Sequence, residues 1–123
     1  MINNVQEYYQ CILDNLTGGL VSVDLKGKVV YLNDMAGKIL RMNPETCCRD
    51  AQYDAAFADF PALTSVIKET LETSRCVRRA EISIMHDNTP LILGYSTMLV
   101  KNHEGAELGI SVIFQDISFV GRK

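Results

Sequence analysis

The chain has 123 residues, 47% of them hydrophobic and 22% charged, which fits one globular domain with a substantial core. Its net charge of −3 argues against nucleic-acid binding, because the nearest basic cluster, Arg75, Arg78 and Arg79, is short and flanked by Glu72 and Glu81. No apolar run approaches the roughly 18 residues that a membrane helix needs, and the opening MINNVQEYYQ lacks the basic start and apolar block of a secretory signal. The expectation is a cytoplasmic domain with no direct membrane contact, whose parent protein is free to carry a membrane anchor elsewhere.

Residues 3–16 place Val5, Tyr8, Tyr9, Ile12, Leu13 and Leu16 close to i, i+3, i+4, i+7 spacing, the mark of an amphipathic helix. Asn3 or Asn4 can cap its start, and Gly18-Gly19 suits its exit. Residues 20–24 and 28–32 are β-rich runs joined by Asp24-Leu25-Lys26-Gly27, a hairpin with Gly27 at the tight point. Asn33 is a good N-cap for a helix beginning at Asp34, with Met35 or Ala36, Ile39 and Leu40 on its apolar face, and Pro44 stops it. Short helical pieces are expected between 44 and 60, the first opened by Pro44-Glu45.

Pro61 opens a longer helix whose buried stripe is Leu63, Val66, Ile67, Thr70 and Leu71, fading near Thr73-Ser74. Residues 76–85 form a strand with Ala80, Ile82 and Ile84 inward and Arg79, Glu81 and Ser83 outward. His86 to Pro90 is expected to be a turn. Residues 91–118 then give two long strands around the polar turn Lys101 to Gly105. In the last strand Leu108, Ile110, Val112 and Phe114 make one apolar face, while Gly109, Ser111 and Gln115 make the wetter one, with Ile113 the exception. Two strands, a helical block and three more strands, linked by turns, imply an α+β domain with an antiparallel sheet covered by helices on one face.

Several of these stretches together resemble the PAS domain superfamily. Gly27-Lys28-Val29-Val30-Tyr31-Leu32-Asn33-Asp34-Met35-Ala36 is similar to that family's G-x-V-x-x-x-N-x-A pattern. Leu93-Gly94-Tyr95-Ser96-Thr97, with Glu104-Gly105 and Gly109, resembles the fourth and fifth strands of PAS domains from nitrogen-regulator-type sensor histidine kinases. Asp116-Ile117-Ser118 is similar to the terminal D-I-T motif, with Ser in place of Thr. None of these motifs is specific alone, but their order and spacing span nearly the whole chain. The resemblance implies a five-stranded antiparallel sheet of order 2-1-5-4-3. It also implies an N-terminal helix over residues 1–18, a sensor core over 19–118 and the start of a linker to an output module over 119–123.

The function it implies is signal reception and dimerisation within a larger protein, a two-component sensor histidine kinase. The alternative is a ligand-free protein-interaction module of a transcriptional regulator. A homodimer would use Val5, Tyr8, Tyr9, Ile12 and Leu13, and signal transmission would run through Asp116, Ile117 and Ser118. A small apolar ligand would sit between helices and sheet among Ile39, Leu40, Phe57, Phe60, Leu63, Ile67, Ile84, Leu93, Tyr95, Ile110, Val112 and Phe114, residues whose plainer role is hydrophobic core.

The residues argue against familiar cofactors. Haem would need an axial histidine on the long helix, and residues 61–73 have none, while His86 and His103 fall in predicted turns. A LOV-type flavin domain would need Asn-Cys-Arg-Phe-Leu-Gln, and Thr46-Cys47-Cys48-Arg49-Asp50-Ala51-Gln52 lacks the Asn before and the Phe-Leu after. Cysteines 11, 47, 48 and 76 include no C-x-x-C pair, which disfavours an iron–sulfur cluster or zinc. Reduced thiols fit a cytosolic protein, with Cys47 or Cys48 beside Arg49 as the candidate redox position. Neither a Ser/His/Asp nucleophile system nor a phosphate loop is present, so no catalysis is assigned to the domain.

Overall fold

A computed structural model describes residues 18–43, 51–86 and 88–117 of the chain. In chain order it contains β1 (Gly19–Asp24), β2 (Val29–Leu32), α1 (Asp34–Leu40), α2 (Tyr53–Ala56), α3 (Pro61–Thr73), β3 (Ala80–His86), β4 (Thr89–Lys101) and β5 (Glu107–Asp116). The strands form one antiparallel sheet in the order β2-β1-β5-β4-β3. The last strand therefore lies at the centre. The expected N-terminal helix with Val5, Tyr8, Tyr9, Ile12 and Leu13, the expected helical piece at Pro44-Glu45, residues Cys11, Cys47 and Cys48, and Ser118 with the expected linker all lie outside the described residues.

Two of the hairpins are built by the same local chemistry. Asp24 Oδ1 accepts from the amides of Lys26 and Lys28, both at 2.9 Å. Asn102 Oδ1 accepts likewise from Glu104 at 2.9 Å and Ala106 at 3.0 Å. Three residues after each Asx side chain a glycine, Gly27 or Gly105, takes φ +87°, a conformation that L side chains rarely adopt. Three residues further on, the register slips by one, leaving Val30 and Leu108 as extra residues in β2 and β5. Both are exposed, at 47% and 49%. Leu108 thus leaves the apolar face that strict alternation assigns to it, because the bulge interrupts the period of two.

Cross-strand register sorts the side chains onto two faces. Val21, Val23, Ile110, Val112, Phe114, Leu93, Ile84 and the partly buried Tyr95 point to the helical side. There they meet Ala36 and Leu40 of α1, Phe57 and Phe60 beside α2, and Leu63 and Ile67 of α3 in one hydrophobic cluster. Helix α3 starts at Pro61, whose missing amide costs nothing in a first turn, and ends with Ser74 in the left-handed region. Its buried stripe is Leu63, Ile67 and Thr70, with Val66 and Leu71 half-buried, as the spacing predicts.

Two boundaries differ from the sequence expectation. The third strand begins at Ala80, not at 76, and His86 to Pro90 is not all turn. Strands β3 and β4 continue to the pairs Met85–Pro90 and His86–Thr89, leaving a two-residue connection. Pro90 is tolerated because the Met85–Pro90 pair sits where no ladder bond from its nitrogen is needed. No described helix is long and apolar enough to cross a membrane.

Candidate functional site

Asn33 ties the start of the sheet to the start of α1. Its Oδ1 accepts from the amides of Leu20 at 2.9 Å and Ala36 at 2.8 Å, and its Nδ2 donates to the Gly18 carbonyl at 3.1 Å. Its own amide donates to the Leu20 carbonyl at 3.0 Å. The side chain is wholly buried with these bonds made, which a carboxylate or an alkyl group of the same size could not reproduce. The sequence pattern indicates the helix cap but not the clasp on β1.

At the same end of the sheet, where Gly19 lies opposite Phe114, β5 leaves in a fixed path. Beyond Asp116, which lies opposite Leu93, the Ile117 amide donates to the Ile92 carbonyl at 2.8 Å. The Ile117 side chain rests over Gly94, where an added Cβ would stand 3.4 Å from Cδ1. This contact lies on the sheet face away from the helices. Asp116 itself is exposed. Of the three predicted transmission residues, the structure thus describes two, on consecutive positions of one strand exit.

The same face carries two adjoining grooves. One, of about 330 Å³, is lined by Gly94, Ser96, Gln115 and Ile117 with Arg79 and Glu81 at its side. The other, of about 320 Å³, shares Arg79, Ser96 and Ile113 and reaches the exposed, unpaired Cys76. Val77 and Thr97 pair through the Thr97 amide and the Val77 carbonyl at 2.9 Å, while Ala80 pairs with Tyr95. One extra residue therefore sits opposite Ser96, and Arg79 adopts φ 56° with its amide donating to Ser96 Oγ at 3.2 Å. Nothing in the local sequence signals this bulge, because its support comes from a hydroxyl on the neighbouring strand.

The twelve candidate pocket residues do come together, but as packed core. Phe57, Leu63, Ile67, Leu93, Ile110, Val112 and Phe114 are each at most 1% exposed, and Leu40, Phe60 and Ile84 belong to the same cluster with Ile39 and Tyr95 at its margin. Leu40 and Phe60 also line a rim cleft of about 400 Å³ with Arg41, Asp59 and Met85, between the end of α1 and α2. Among the described residues, no buried side-chain nitrogen or oxygen lacks a hydrogen-bond partner, so the core offers no orphaned polar anchor for a ligand.

Two tyrosines in this frame have shifted phenols. Burial, and then the Glu69 carboxylate, push the Tyr95 phenol above its ordinary value of 10.0. Burial, followed by Asp54 and Glu72, does the same to Tyr53. No group of three His, Cys, Asp or Glu residues suited to a metal occurs among the described residues. His103 is exposed in the β4–β5 turn, as expected, whereas the backbone of His86 belongs to β3 rather than to a turn.

The PAS fold family model matches residues 7–117. No curated protein sequence matches significantly. Among solved structures, the PAS domain of BvgS from Bordetella pertussis aligns with a TM-score of 0.71 at 18% identity, covering 94% of this chain and 88% of that one. The PAS domain of nitrogen regulation protein NR(II) from Vibrio parahaemolyticus gives 0.64 at 15% identity, covering 89% and 97%. The PAS domain of histidine kinase ThkA gives 0.63 at 13% identity, covering 82% and 100%. With the 2-1-5-4-3 sheet, the helices on one face and a family match over most of its length, the chain belongs to the PAS family.

Proposed function

We propose that this chain is the signal-receiving and dimerising module of a larger two-component sensor histidine kinase, with the output module after residue 123. The observation that carries this reading is the path of β5. It is the central strand, it touches the core through Ile110, Val112 and Phe114, and it leaves the sheet pinned at Ile117. A shift in the core is thereby transferred to the chain that follows. Likeness to PAS domains of a nitrogen regulation protein and of a histidine kinase supports the choice of parent. The dimer is assigned to the N-terminal helix through Val5, Tyr8, Tyr9, Ile12 and Leu13. The domain acts by conformation and not by catalysis, and it works in the cytoplasm.

The tight packing of the inner face favours a second reading on one point, the ligand. A core in which eight of the twelve candidate pocket residues, Leu40 included, are at 1% exposure or less suits a module that takes its input from another protein, as in a transcriptional regulator. Native mass spectrometry and an absorbance spectrum of the purified protein separate the two: a retained small molecule supports the apolar-ligand reading, and the bare chain mass supports protein input. In the full-length protein, Asp116→Ala and Ile117→Ala are expected to change the ratio of stimulated to basal output. An unchanged ratio in both would remove the transmission role.

A further inference from the structure

The two edges of the sheet are treated differently. At β2 the Val29 amide donates to the Ala51 carbonyl at 2.8 Å, the Tyr53 amide donates to Gly27 at 2.8 Å, and Lys28 bridges Gln52. That edge is closed by the chain itself. At β3 no described residue performs this task.

Which backbone groups β3 leaves open follows from its neighbour. Ile92 gives its carbonyl to Ile117, on the β5 side, so its partner Ser83 cannot be bonded to it across the β3–β4 ladder. Pro90 has no amide, which puts Met85 in the same class, and the alternation extends it to Glu81. The N–H and C=O groups of Glu81, Ser83 and Met85 therefore face away from the sheet. All three residues are exposed, Met85 at 54%. The strand Ala80–His86 carries no lysine or proline of the kind that blunts natural edges, and only the Arg79 bulge closes it at one end.

We propose that β3 is an interface between two copies of this chain, paired antiparallel about a two-fold axis at Ser83. This register matches what the edge presents. Ser83 bonds its counterpart, and Glu81 bonds Met85 of the second copy in both directions, so three pairs exchange two hydrogen bonds each and every outward group is used. Between them Ile82 faces Ile84 of the second copy on the helical side, extending the apolar face across the axis. A register centred one residue away leaves backbone groups unpaired. The pairing does not involve the proposed N-terminal dimer positions. Because the axis is normal to the sheet, it points the two β5 exits in opposite directions, so edge pairing keeps the two outputs apart.

The test is sedimentation and amide hydrogen exchange on the 123-residue chain over a range of concentrations. The expected result is a dimer in which the amides of Glu81, Ser83 and Met85 gain protection as concentration rises. Ser83→Pro removes one outward N–H and no β3–β4 bond, so it is expected to give a folded monomer, or a dimer at least tenfold weaker. Met85→Glu sets like charges opposite Glu81 of the second copy and weakens the dimer, whereas Met85→Lys sets opposite charges there and keeps it; Met85 is exposed, so these variants cover the case in which the proline variant fails to fold. Ile12→Glu, at one of the proposed N-terminal dimer positions, leaves the edge dimer intact. Solvent-like exchange at 81, 83 and 85 at every concentration overturns the proposal. So does a dimer lost with Ile12→Glu but kept with Ser83→Pro, an outcome that would leave the N-terminal dimer standing.

Discussion

Among the described residues, Asn33 is a buried polar side chain on which three separate backbone groups depend. It is 0% exposed, and three hydrogen bonds from its amide group hold Gly18, Leu20 and Ala36 together. Removing it leaves two amides and a carbonyl of the β1–α1 junction unsatisfied. Each buried orphan costs about 1–3 kcal/mol and water entry recovers part of that, so Asn33→Ala is expected to destabilise the fold by about 2–4 kcal/mol. Urea unfolding of the variant measures this directly. Asn33→Asp tests the chemistry behind it: Asp retains the accepted bonds but places a charge against the Gly18 carbonyl, and is expected to fall at or below Ala in stability. A loss below 1 kcal/mol in both would mean the clasp is dispensable.

At the scale of elements, the contact of α3 with the sheet is expected to weaken in alkali. Tyr95 of β4 lies on the face toward α3, where burial and Glu69 favour its neutral form. A group whose folded pKa exceeds its unfolded value contributes stability that is complete below the unfolded value and is lost as pH rises through the folded one. Tyr95 is therefore expected to have no influence on pH dependence near neutrality and to lower stability once pH passes its ordinary value of 10.0. Tyr95→Phe should flatten that alkaline fall, as seen in urea midpoints measured across the range. A fall of the same steepness in the variant would assign the effect to other groups, Tyr53 first among them.

For the molecule as a whole, the described residues place stability in the hydrophobic cluster between helices and sheet. Phe57, wholly buried beside α2, reaches into it from a short segment with little structure of its own. Phe57→Ala is expected to cost about 3–5 kcal/mol, enough to unfold a marginal domain at body temperature. Circular dichroism melts would show it, and a shift in midpoint of only a degree or two would mean that the segment can collapse into the space. Sheet order is legible only through the family resemblance, whereas helix positions and most of this cluster are legible because they depend on periodicity, and because Asp24, Gly27, Asn102 and Gly105 write their turns in local chemistry. What stays illegible has non-local causes. The bulge at Arg79 depends on Ser96, seventeen residues on. The exposure of Leu108 depends on a register slip across to Val100. The packing that fills the candidate pocket depends on how side chains from six elements interdigitate, and no spacing rule reports that.

The sheet order also bears on how the protein is made. Its middle strand is the last to be synthesised, and it joins β1, whose Gly19 meets Phe114 across the sheet. Until residues near 116 have left the ribosome, β1 and β2 on one flank and β3 and β4 on the other have nothing between them. Folding during translation is therefore confined to isolated hairpins, and the core closes only in a late step that joins distant parts of the chain. Fragments ending before Glu107 should stay protease-sensitive however many strands they contain, and slow release of the final segment should lengthen the interval in which the nascent chain needs protection.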